Sequence, residues 1–389
     1  MLTFGGFLGI NNVTPEHRQG EHDLLRAENV DIGLTGEVTR RGGFSAISDQ
    51  CHKNLWQARG FMLATCGSAL TAIHPGGTRY VIHPALGHDR VWYCNLPDGR
   101  TTFTNGLIHG VTDGVAAFER NVPEPASLGV MESAFGGLDA GQYRYHLTHV
   151  CLSSRLEGPA ISSGLVEVST GGMRLHALPQ LEGHAINIYI SGRDGEGAYL
   201  AGTTADNTTE IDSTNDALVL PCRTLGARAY PVGTVTASWR GRILVAVGDV
   251  LWASRPSAPH LCDWRDFKPM GARITAVQPV GEGVYVGTDD DLIFLSGSSW
   301  NDLAFVPMKT GPVVLGSGVE APGGQIKVGD GTGSGDAMIC IAGGEVVAGM
   351  QGGQVVSLSE NRYRTKANEV WATFRYLEGV GPQYLAVPL

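Results

Sequence analysis

Glycine constrains this chain more than any other residue. The sequence carries 55 glycines in 389 residues, about twice the usual share of roughly 7%. They fall between short runs rich in Val, Thr and Ile, at GTR, PDG, TNG, TDG, GEG, AGGE and QGGQ. Turn glycines flanked by β-branched and aromatic residues specify hairpins, because only glycine takes up tight-turn backbone angles without steric cost. Amphipathic helical periodicity is scarce. The segment EHDLLRAENV, residues 21–30, can seat one or two helical turns on Leu24, Leu25 and Val30, or run as an extended arm. The fold class is therefore all-β.

The strand–turn–strand units recur about every 35–45 residues, which is the spacing of β-propeller blades with three or four strands each. They are seen in FMLATCGSALTAIHPGGTRYVIH, in VWYCNLPDGRTTFTNGLIHGVTDGVAAF, in ASWRGRILVAVGDVLWASRPS, in ARITAVQPVGEGVYVGTDDDLIFLSG and in DAMICIAGGEVVAGMQGGQVVSLSENRYR. A propeller of about five to seven blades is expected. Closure is expected from an N-terminal strand, NVDIG, joining a blade built with the C-terminal QYLAVPL.

Residues 137–222 break the rhythm. Tyr143, Tyr145, Leu147 and His149 alternate with Arg144, His146, Thr148 and Val150, the period-2 pattern of a half-buried strand. About seven short strands in this span suit an inserted fibronectin-III/Ig-like β-sandwich without disulfides. The expected organisation is then an N-terminal arm with the first blades over 1–136, the insertion over 137–222, and the remaining blades over 223–389.

Charge and chemistry narrow the function. The formal net charge is −10 and the longest basic cluster is the pair Arg40–Arg41, so the basic stripe that grips a nucleic-acid backbone is missing. The seven cysteines form no CxxC pair and are odd in number, which disfavours a disulfide framework or a thiolate metal site. The start has no charged leader region and no apolar run approaches 18 residues. The acidic run Asp289, Asp290 and Asp291 lacks the alternation of a calcium loop; it reads as a solvated turn, or as an acidic patch facing a DNA channel. DGTGSGD at 330–336 lacks the Lys-Ser/Thr end of a phosphate loop. His146 and His149, three apart on a strand, face opposite sides and cannot share a metal. Trp239 and Trp252 read as packing between blades or as a carbohydrate platform. No cofactor and no catalytic residue is indicated.

GINNVTPEHR followed by LLRAENVDIGLTGEVTRRGGF resembles the opening of podophage tail nozzle, or packaged-DNA stabilisation (tail hub), proteins. The matching positions are Gly9, Ile10, Asn11, Pro15, Asn29, Val30, Asp31, Gly36, Val38, Arg40, Arg41 and Gly42. AGQYRYHLTHVCLSSRLEGP, WRGRILVAVGDVLWASRPSAPH and ITAVQPVGEGVYVGTDDDLIFLSG are similar to later stretches of the same family. The resemblance implies a non-enzymatic virion protein that assembles in the host cytoplasm into a ring of copies, usually six. That ring would lie below the portal and its adaptor, extend the DNA channel and help to retain the genome, with DNA passing unread. Asn29 and Asp31 are expected to stabilise their turn through backbone amides. Arg40 and Arg41 are expected to point to opposite sides of a strand, one of them towards a neighbouring blade or copy. Two other readings stay open: a tail fibre or receptor-binding protein, and a carbohydrate-binding or carbohydrate-hydrolysing propeller.

Overall fold

The computed structural model describes residues 6–389 apart from Leu34, Phe44, Ile47, Ser48, Glu360 and Gly379; the opening residues of the leader reading lie outside it. Of six four-stranded antiparallel sheets among the described residues, five form blades. Blade 1 comprises His52–Gln57, Met62–Cys66, Ala69–Ile73 and Arg79–His83. Blade 2 comprises Trp92–Asn95, Thr101–Thr104, His109–Thr112 and Ala117–Phe118. Blade 3 is built from Thr234–Trp239, Arg242–Val247, Val250–Ala253 and Phe267–Pro269. Blade 4 takes Ile274–Val280, Gly283–Thr288, Leu292–Ser296 and Ala304–Pro307, and blade 5 takes Val319–Pro322, Asp336–Ala342, Glu345–Gly349 and Val355–Ser357. A terminal hairpin, Val370–Leu377 with Gly381–Pro388, completes the chain.

These six elements stand around one cavity. Its wall takes Trp56 from blade 1, Tyr93 from blade 2, Thr236 from blade 3, Val277 from blade 4, Gly318 at the entry to blade 5 and Trp371 from the hairpin. The first strand of each sheet therefore lines a common shaft, and the molecule is a β-propeller. The hairpin stands where a sixth blade would.

Strands in such a ring are covered on both faces by neighbouring blades, so they read as continuous apolar runs rather than alternating ones. Gly283–Thr288 is buried at every position. Apolar clusters fill successive seams. Leu63, Leu70 and Tyr93 join blades 1 and 2, and Val111, Ile243 and Val245 join blades 2 and 3. Leu244, Leu251, Val284 and Leu295 join blades 3 and 4, and Tyr285, Phe294, Met338 and Val347 join blades 4 and 5. The outermost strands of blades 3 and 4 end in Pro269 and Pro307.

Between blades 2 and 3 the chain leaves the ring. Two sheets, Val130–Phe135/Gly171–His176/Thr209–Ile211 and Ile161–Ser162/Tyr145–Cys151/His184–Ile190/Tyr199–Thr204, pack on a shared core of Tyr145, Leu147, Met173, Leu175, Ile186 and Ile188. Val130–Phe135 pairs with Gly171–His176, so this unit starts ahead of the expected residue 137. The cause is non-local: VMESAF is a strand in either assignment, and only its partner decides which sheet it joins.

Residues 21–30 form an extended arm, in which Ile10 bridges Leu24 in parallel. The NVDIG strand does not share a sheet with QYLAVPL. Val30–Ile32 pairs with Val38–Arg40 while Gly381–Pro388 pairs with Val370–Leu377. Each strand finds its partner within its own short hairpin, where loop-closure entropy is smallest. Among the described residues the only helical segments are the 3₁₀ turns Glu16–Arg18, Asn215–Ala217 and Gly323–Gln325, and none can cross a membrane.

Candidate functional site: the shaft and the ring seam

Polar side chains cross from blade to blade around the shaft. Trp56 Nε1 donates to Asn95 Oδ1 at 3.0 Å, and the Trp56 and Tyr93 rings stack 5.8 Å apart. Thr104 Oγ1 donates to the Gly233 carbonyl at 2.7 Å, tying blade 2 to blade 3. Arg240 donates to the Gly281 carbonyl at 2.9 Å, and Tyr285 donates to the Met350 carbonyl at 2.8 Å. The first strands of blades 1, 3 and 4 each carry a register shift. A bulge of this kind twists a strand and re-aims its side chains. At one end the shaft opens into a cavity of about 490 Å³ lined by Trp56, Tyr93, Trp239, Arg240, Glu320 and Asp336, a mixed-charge mouth rather than a basic one.

The hairpin's two flanks differ. Against blade 5, Phe374 and Tyr384 pack on Ala321, Ile339, Ala348 and Met350, and Tyr384 donates to the Ser317 carbonyl at 2.8 Å. Against blade 1 the contact passes through Arg90, which lies before the first strand of blade 2. Its guanidinium sits 3.0 Å from Glu369, donates to the Val370 carbonyl at 2.5 Å and lies 3.9 Å over the Trp371 ring. Burial lowers the Arg90 pKa from its ordinary value and Glu369 works against that fall. Gly316, at φ +77°, faces this guanidinium so closely that a Cβ would strike both it and the Val370 carbonyl. Beside Arg90 a cleft of about 700 Å³ separates Lys53 and Leu55 from Thr373, Leu385 and Leu389.

The N-terminal signature residues gather on this same terminal region. Asn11 is buried; its amide donates to Asp23 at 3.1 Å and its carbonyl oxygen accepts the Thr14 N–H at 2.9 Å. Asp23 in turn pairs with Arg362. The Gly20 backbone N–H is the main influence holding the Asp23 carboxyl below its usual range. Asn12 and Arg364 exchange two bonds of 2.8 Å. Asp31 is buried and accepts from Arg41 and from Gln383 of the hairpin, both at 3.2 Å. It is thus a lock between two hairpins rather than an acceptor for turn amides. Asn29 takes left-handed φ of +54° and its carbonyl accepts the Arg41 N–H at 3.0 Å. Arg41 faces Asp31, whereas Arg40, the last residue of the strand, is exposed. Gly36, at φ +78°, lies against the backbone of Gly6 and Phe7 with no room for a Cβ.

The acidic run divides as well. Asp291 is a clamp: its carboxylate accepts the backbone N–H groups of Lys309, Thr310 and Gly311 at 2.8, 2.7 and 3.2 Å. Burial pushes its pKa upward, and these amides outweigh that effect and leave it lowered from the ordinary 3.8. Asp289 and Asp290 are exposed on the turn. None of the three lines the shaft cavities.

His146 bonds Ser162 Oγ at 2.7 Å, and His149 bonds the Pro123 and Pro179 carbonyls at 3.2 and 2.8 Å. Among the described residues no group of three or more His, Cys, Asp or Glu is placed to hold a metal ion. All seven cysteines are free, and burial pushes the Cys94 and Cys340 thiols up to about 12. The Trp252 ring meets Phe267 at 5.2 Å, tilted by 38°, whereas Trp239 lines the shaft mouth.

No family model and no curated protein matches this chain. Among solved structures it is similar to the Dos1 propeller, at 8% identity and TM-score 0.36 over 92% of this chain and 81% of that one. It is also similar to the Neurospora crassa Pan2 WD40 domain, at 9% identity and TM-score 0.32 over 85% and 84%. BBS1N in complex with ARL6DN follows at 12% identity and TM-score 0.33 over 84% and 83%. These are faint likenesses of architecture, and the propeller assignment stands on the strand registers and the shared shaft.

Proposed function

We propose that this chain is a structural ring protein of a tailed bacteriophage virion. In this reading several copies, about six, stand below the portal and adaptor around the DNA path and help to retain the packaged genome. The protein supplies shape rather than reactive groups. The observation that carries the reading is the fate of the signature residues. Among the residues through which the sequence resembles tail nozzle and hub proteins, Asp31 and Arg41 tie the arm to Gln383 of the terminal hairpin, while Asn11 and Gly36 brace the arm itself. A signature spent on fastening the arm to the end of the chain suits a part whose role is shape rather than chemistry. The net charge of −10 suits a wall past which DNA slides, because like charge keeps a polyanion from adhering.

Mass photometry of the purified chain, alone and with tail fractions, together with electron microscopy of virions, tests this directly. A ring of copies around a channel is expected. A protein absent from virions, or present as trimeric fibres, would overturn it. A carbohydrate-binding propeller is the second reading, favoured by Trp56, Tyr93 and Trp239 at a polar shaft mouth; specific hits on a glycan array would select it.

A further inference from the structure

Where the inserted unit meets the ring, a cavity of about 290 Å³ opens between blades 2 and 3. Its walls are mostly apolar: Leu96, Val111 and Phe118 from blade 2, Ile243 and Pro259 from blade 3, and Leu156 from the inserted unit. Arg120 also lines it, and it is an unusual neighbour. The residue is only 2% exposed, and its Nε and one terminal nitrogen have no hydrogen-bond partner. The guanidinium lies 4.2 Å from the centre of the Tyr230 ring, and no carboxylate pairs with it among the described residues. The Tyr230 ring is its one favourable contact of this kind, and a buried cation without a charged partner is costly. A chain rarely keeps one unless something else supplies the negative charge.

The neighbouring charges set what that something is. Arg100 is already held by Asp98 at 2.6 Å and Arg242 by Asp266 at 2.5 Å. Glu119 also lines the cavity. Arg120 is therefore the one guanidinium of this lining without a carboxylate pair, and Glu119 close by opposes a second negative charge on a ligand. The remaining surface, mostly apolar, calls for a hydrocarbon body.

We propose that this cavity binds a small monocarboxylate with an apolar body, its carboxylate paired with Arg120 and its chain laid between Leu156 and the Val111–Phe118 wall. Such a ligand touches both blades and the inserted unit at once and fastens one to the other. The inference is independent of the virion reading.

Calorimetric titration of the full chain with octanoate, octan-1-ol, octylamine and inorganic phosphate tests it. Octanoate is expected to bind at least about tenfold more tightly than octanol, the discrimination that one charge-assisted hydrogen-bond pair supplies. Octylamine and phosphate are expected not to bind at millimolar concentration. Arg120→Met keeps the volume and removes the charge; it should fold and lose octanoate by the same factor. Leu156→Trp, which fills the cavity from the inserted unit, should abolish binding with Arg120 intact. Octanol as tight as octanoate, phosphate competing with octanoate, no octanoate binding, or undiminished binding by Arg120→Met would each overturn the proposal. Should Arg120→Met fail to fold, the wild-type ratio and Leu156→Trp decide.

Discussion

The seam between blades 4 and 5 and the seam between the terminal hairpin and blade 1 close the same ring by opposite means. The first is dry. Tyr285 is wholly buried, meets Phe294 at 4.7 Å, and lies against Gly349 so closely that a Cβ there would collide with its ring. The second depends on one guanidinium that reaches a carboxylate, a carbonyl and an indole face, beside an open cleft. Apolar burial is non-directional and accumulates with area, whereas the attraction between Arg90 and Glu369 is offset in part by the cost of burying the guanidinium. A ring closed this way is expected to open at its hairpin first, with the blade 4–5 seam last to yield.

Breaking the strong seam should give the largest effect. Tyr285→Ala removes a buried aromatic and its hydroxyl bond, and should cost about 3–5 kcal/mol in denaturant unfolding. Acid should act next, through His109 in blade 2. Burial, with Arg120 adding to it, lowers the His109 pKa to about 4 from the ordinary 6.5. The folded form thus holds this ring neutral while the unfolded chain protonates it. Stability is complete above 6.5, erodes as pH falls towards about 4, and levels off below. The expected loss is a few kcal/mol at most, and His109→Gln should flatten that stretch of a stability–pH curve. Sharpening the comparison falls to Arg90→Ala. It should cost about 2 kcal/mol and, in hydrogen exchange, deprotect Val370–Leu377 while Gly283–Thr288 stays protected. Uniform deprotection of both would show that the two seams do not differ. Smallest of all, Asp291→Asn should cost about 1 kcal/mol and speed exchange only at Lys309, Thr310 and Gly311.

The same contrast explains what could be read from the sequence. The blades were legible because each is a run of local hairpins, and turn residues such as those at GEG and AGGE declare themselves within a few positions. The closure was not legible, since NVDIG and QYLAVPL are strands whichever partner they take and only three-dimensional packing chooses. Nothing in RVWYC marks Arg90 as the link to the hairpin, and nothing in FERNV marks Arg120 as a buried cation, because neither sits in a motif. Gly349 did carry a usable signal: a glycine inside an apolar strand often marks a close approach by another group, and here the Tyr285 ring makes it. The run of three aspartates read as one feature, yet a single carboxylate of the three is engaged, a distinction that requires knowing where Lys309–Gly311 returns.

Pro269 and Pro307 finish the rims of blades 3 and 4. A proline has no N–H to offer, so at these two places an incoming strand would find its zipper missing a tooth. Neighbouring molecules approaching there are steered away from fusing their sheets into one ribbon. They must instead meet through side chains, which can be drawn apart again, and a crowded cell full of newly made copies is spared one route to fibrils.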